Sequence, residues 1–116
     1  MATITSTDIK GGGVKTITET TLTGTLDTFT YKSGVNQTLV FRNATAGALT
    51  PVIDGASATT VSVNGIGSID VSTGYAIGSI AAGAVKSINT NAIYEYLAGT
   101  IAITGATGIV ATLLEY

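Results

Sequence analysis

The chain has 116 residues with five basic and seven acidic side chains, a net charge of −2, and no histidine, cysteine or tryptophan. It therefore lacks the usual proton shuttle near neutral pH, the usual soft nucleophile and any disulfide framework. Its cations, Lys10, Lys15, Lys32, Arg42 and Lys86, are scattered, which leaves no basic stripe to displace counterions from a nucleic acid.

Charged residues make up 10% of the chain, against roughly 25% in an average globular domain. The surface must be built from Thr, Ser, Asn, Gly and Ala. Such a surface loses its water cheaply and repels its own copies weakly, which favours self-association or burial in an assembly. One domain is expected, since a chain of this size buries a core without covalent staples.

Residues 1–13 read as an extended N-terminal arm. Ile alternates with Thr and Ser from Met1 to Ile9, and Gly11, Gly12 and Gly13 form a hinge with nothing to pack. From residue 14 to 116, turn signals recur about every ten residues between short runs of Val, Ile, Thr, Phe and Tyr. That spacing predicts a single all-β domain, an antiparallel β-sandwich or jelly roll. Val14–Thr25 is expected as a half-buried strand. Asp27–Tyr31 places Phe29 and Tyr31 on one face, and Gln37–Arg42 places Leu39 and Phe41 on one face with Val40 on the other. Pro51–Ile53 is a short strand ended by an Asp54-Gly55 turn. Thr59–Val63 and Ser68–Ser72 follow, the latter with Ile69 and Val71 inward and Asp70 outward. Ile77–Ile80 and Ala84–Ile88 flank a turn at Gly83.

One short helix is expected over about 90–98. Asn89 or Thr90 can cap it, Gly99 sits at its end, and Ile93, Tyr96 and Leu97 form its apolar stripe. Thr100–Thr104 and Ile109–Leu114, joined through Gly105 and Gly108, read as a closing hairpin. The glycines and flanking acids argue against reading Tyr96–Leu114 as a membrane span, despite its lack of charge.

Candidate chemistry is thin. No two acids are close enough in sequence to form a catalytic pair. Gly65-Ile66-Gly67 breaks the dinucleotide-binding pattern at its third glycine, and no glycine loop is followed by the Lys-Ser or Lys-Thr of a phosphate loop. No acids alternate as in a calcium loop. The sequons at Asn36 and Asn43 read as accidental. No enzyme activity, cofactor or metal is expected. Tyr31, Tyr75, Tyr94, Tyr96 and Tyr116 leave some room for sugar stacking.

The stretch from Gln37 to Gly55, with Asn43-Ala44-Thr45-Ala46-Gly47-Ala48 in its middle and Asp54-Gly55 at its end, resembles small capsid decoration (cement) proteins of tailed bacteriophages. Ile80–Lys86 and Ile101–Leu114 fit the same likeness, which covers most of residues 25–115. The resemblance implies a structural, non-enzymatic protein on the capsid exterior. It would bind the expanded lattice of the major capsid protein and bridge capsomers, as a homotrimer or, second, a homodimer. Such proteins often carry an N-terminal arm that orders on the capsid. That assigns lattice contact to Thr3, Ile4, Thr5, Thr7 and Ile9, with Gly11, Gly12 and Gly13 as the hinge. The competing expectation is a receptor- or carbohydrate-binding β module of a phage tail or bacterial surface structure.

Overall fold

A computed structural model describes residues 2–116. Ten strands and one helix follow in order: β1 (Ser6–Asp8), β2 (Thr20–Thr21), β3 (Gln37–Asn43), β4 (Val52–Gly55), β5 (Thr60–Val63), β6 (Gly67–Asp70), β7 (Tyr75–Ala76), β8 (Val85–Asn89), a 3-10 helix (Thr90–Tyr96), β9 (Ile101–Thr104) and β10 (Ile109–Glu115). A five-stranded sheet runs β1-β10-β3-β8, with β2 sharing the β1 edge of β10, and a three-stranded sheet runs β7-β4-β9. Leu39, Phe41, Ile109, Ala111 and Leu113 from the first sheet meet Ile53, Ile101 and Ile103 from the second in one core. The chain is thus an all-β single domain, as the turn spacing predicts.

β3 and β10 alternate strictly between buried and outward positions, because side chains on a strand point to opposite faces in turn. The helix closes one end of the sandwich. The Asn89 side chain accepts from the Asn91 N–H, and the 3-10 geometry holds along the whole helix, with a kink at Ile93. Ile93 and Leu97 are buried, and Tyr96 packs on the core.

Several expectations are corrected. The N-terminal segment is extended but is not a free arm. β1 pairs in parallel with β10, and Thr3 bridges to Thr28. Ile4 is 2% exposed within the core. The physical cause lies far away in sequence. Asp27 is buried and its carboxylate accepts from the Ala2 amide at 2.9 Å, pinning the start of the segment to the domain. Residues 2–9 therefore belong to the sandwich, and Gly11–Gly13 open an exposed loop between β1 and β2 rather than joining arm to domain.

Val14–Thr25 yields only the two-residue β2. Every residue from Lys10 to Glu19 is exposed, because β1 already occupies that stretch of the β10 edge. Asp54-Gly55 is not a turn but the end of β4. A side chain at Gly55 would meet the Tyr96 and Ala98 carbonyls at 2.6 and 2.5 Å, so glycine is needed there for close approach of the helix end. β9 and β10 do not form a hairpin. β9 pairs with β4 and β10 with β3, so residues 105–108 arch from one sheet to the other.

The hairpin β5–β6 pairs with neither sheet. It is anchored at its base by buried Ala58 and Val71. Ile69, expected inward, is 37% exposed. The radius of gyration is 14.5 Å, above the ~13 Å of an average compact domain of this length, consistent with a projecting hairpin and loop.

Candidate interaction surface

The strand registers define the outer face of the five-stranded sheet. One row across it reads Thr21, Val110, Arg42 and Val85; the next reads Thr112, Val40 and Ser87; the third reads Thr7, Leu114, Thr38 and Asn89. Val40, Val110 and Leu114 are half-buried by their sheet neighbours, and Val85 is 56% exposed at the edge. None of the four packs against the core. An antiparallel sheet with one solvated side ordinarily alternates apolar-in with polar-out. Here the outward positions of β3 and β10 are aliphatic or threonine apart from Arg42, and β8 adds Val85, Ser87 and Asn89. The face carries one formal charge, Arg42, and its guanidinium is 3.2 Å from the Glu19 carboxylate at the margin.

The opposite outer face, on the three-stranded sheet, is smaller and bears an acid. Val52, Asp54, Ala102, Thr104 and Ala76 point outward from it. The Asp54 Oδ1 is buried without a hydrogen-bond partner.

The β5–β6 hairpin presents a second apolar surface. Val61 lies opposite Ile69, and Val63 lies opposite Gly67, on one side of the ribbon. Thr60, Ser62, Ser68 and Asp70 occupy the other side. Ile66 at the tip is 72% exposed. Asp70 lies below the usual carboxylate range because Ser72 hydrogen-bonds it, through its side chain and its backbone.

The buried polar groups are used for folding. The Asp27 carboxylate accepts from the Thr23 hydroxyl at 2.7 Å and from the amides of Ala2, Thr23 and Gly24. Burial raises its pKa, but these donors together outweigh burial, and the group lies below its usual value of 3.8. Glu115 is held low chiefly by the Lys32 ammonium at 3.0 Å, with help from Ser6 and Gln37. Gln37 fills its remaining capacity with the Thr30 carbonyl and the Lys32 amide. Asn43 is fully buried. It donates to the Gly47 and Ile80 carbonyls and accepts from Thr45, so its sequon is spent on the loop that it folds. Leu26 closes the Thr23–Asp27 turn with φ of 51°, in the left-handed region that disfavours a branched side chain.

The residues expected to touch a lattice divide around the docked strand. Thr3 and Thr5 are exposed, Ile4 is in the core, and Thr7 lies on the outer face of the five-stranded sheet. The Ile9 amide donates to the Glu115 carbonyl. Gly11, Gly12 and Gly13 stand in open space. The sequence reading missed the sheet face and the hairpin ribbon as surfaces. The available signal was the near-continuous apolar runs Leu39–Phe41 and Ile109–Leu114, which leave aliphatic residues on both sides of a strand. A groove of about 430 Å³ lies beside Phe29 and Tyr31, open to solvent near Gly99. Among the described residues no helix is long and apolar enough to cross a membrane, and no three acidic side chains gather as a metal site would need.

A comparison with family models, with curated proteins and with solved structures gives no match to this chain.

Proposed function

We propose that this chain is a structural subunit that coats and bridges a protein lattice, namely a decoration protein on the exterior of an expanded bacteriophage capsid, held by the major capsid protein. The observation that carries this reading is the pair of separate, unpartnered apolar surfaces on one small domain. A subunit that bridges neighbours needs at least two contact surfaces. Each contact can be weak, because simultaneous engagement multiplies their effect. The low charge of the chain reduces the cost of desolvating both surfaces. The likeness of Gln37–Gly55 to cement proteins supports the same reading. With the N-terminal strand docked, the projecting hairpin takes over the lattice-contacting role expected of residues 3–9.

The test is co-sedimentation of the purified protein with expanded, undecorated capsids. Saturable binding that raises the temperature of capsid disruption is the expected result. A protein that stays in the supernatant across lattices of several tailed phages overturns the reading.

A second reading, a carbohydrate-binding module, draws on Tyr94 and Tyr116, which are 59% and 44% exposed. Exposed aromatic rings offer stacking platforms for sugars. Binding to a glycan array that is lost in Tyr94→Ala would move the assignment to that class.

A further inference from the structure

We propose that the outer face of the five-stranded sheet is a two-fold interface with a second copy of this chain, in which the two sheets stack through Val40, Val110, Thr112 and Leu114. This assignment goes beyond the capsid reading and does not depend on it.

β3 and β10 carry apolar residues on both sides, and near-continuous apolar runs mark strands covered on both faces. One side of these strands is covered by the core; the other meets the rest of the chain only at its margins, where the Thr18 N–H donates to the Thr7 hydroxyl, the Thr38 hydroxyl donates to the Tyr116 hydroxyl and Glu19 reaches Arg42. In a two-fold contact each patch meets its own copy, so any net charge near the axis faces its like. The one cation on this face, Arg42, is paired at its margin with the Glu19 carboxylate, so the pair adds no net charge. The face offers nothing to a strongly charged partner and nothing repulsive to itself. The five strands at their own lengths, about 4.8 Å apart and about 3.4 Å per residue, give a flat footprint of about 390 Å² per copy. Two copies give about 800 Å² before side-chain relief is added, and that relief carries it toward the ~1,000 Å² that a specific interface must clear. A membrane surface fits less well, because threonines interrupt the aliphatic residues of the face.

The chain has no native cysteine, so a single substitution supplies the only thiol. Val40→Cys, at the middle of the face, is expected to give disulfide-linked dimers on mild oxidation. Thr104→Cys, on the opposite outer face, is expected to remain unlinked under the same conditions. Light scattering of the unmodified protein is expected to give a dimer mass. Leu114→Glu is expected to weaken the dimer at least about 100-fold by facing two uncompensated carboxylates across the axis. Its melting should remain cooperative, because the position is outward. Should Leu114→Glu fail to fold, Val40→Lys makes the same test from the neighbouring strand. A monomeric or trimeric mass, equal linking through Thr104→Cys, or a dimer untouched by either charged variant overturns the proposal. Capsid co-sedimentation is scored separately, so that a dimer that ignores capsids sinks only the capsid reading.

Discussion

The N-terminal strand and the β5–β6 hairpin are both short extended segments with alternating apolar residues, yet they end in opposite places. The first is welded into the domain; the second stands out from it. Local pattern does not separate them. What separates them is what each finds across the gap. Ile4 meets the core, β1 finds the open edge of β10, and the Ala2 amide finds a buried carboxylate. Val61, Val63 and Ile69 find only each other. Attachment in a small sandwich is decided by distant partners, and a two-stranded ribbon without them is marginal on its own in water.

The strongest way to break the contrast is to remove residues 1–10. That deletion takes away Ile4 and the β1 ladder together, and it is expected to abolish cooperative thermal unfolding, as followed by circular dichroism. A free arm would leave melting unchanged. Ile4→Ala is the milder form. Truncating a buried aliphatic side chain costs about 2–4 kcal/mol, which lowers the melting temperature by roughly 10 °C in a domain of this size.

Asp27 sharpens the comparison through pH. Its folded-state pKa lies below the ordinary 3.8. Between those two values the unfolded chain binds a proton that the folded chain does not. The stabilisation from this group is therefore complete above the ordinary value and is lost as pH falls through the folded one. Asp27→Asn places an amide against several N–H donors and is expected to cost about 1–3 kcal/mol at neutral pH. It should also flatten the acid limb of a denaturant-midpoint against pH profile. An unchanged acid limb would show that the carboxylate does not hold the N-terminal strand.

The hairpin should respond least. Replacing residues 61–69 by a short Gly-Ser turn is expected to change stability by less than about 1 kcal/mol, within the range of ordinary surface changes. Capsid co-sedimentation, by contrast, should be lost. A large drop in melting temperature would mean that the ribbon supports the domain more than its exposure suggests.

Much of the architecture is legible in the chain, for local reasons. The alternation through Leu39 and Phe41 identifies β3, Asn89 caps the helix, and Ile93 with Leu97 marks its buried stripe. The missed features are those set by distant groups. Gly55 reads as half of a turn, but its lack of a side chain serves the carbonyls of Tyr96 and Ala98, about forty residues on. Gly105 and Gly108 announce a reversal without saying whether it joins partners in one sheet or crosses to the other. The outer sheet face is assembled from alternate positions of strands far apart in sequence, so no window of the chain displays it.

The placement of β10 sets the timing of folding. It lies between β3 and the edge shared by β1 and β2, so until residues 109–115 have been synthesised only the β3–β8 ladder of that sheet can form. Until then β1, β2 and β3 have no common neighbour, and the apolar inner sides of both sheets wait open. Pairings of such long sequence separation close slowly and leave unpaired strands exposed to other chains meanwhile. Truncation within residues 109–115 should therefore leave the earlier chain collapsed and sticky rather than native, and a ribosome-tethered chain should gain full protease resistance only once Glu115 has cleared the exit tunnel.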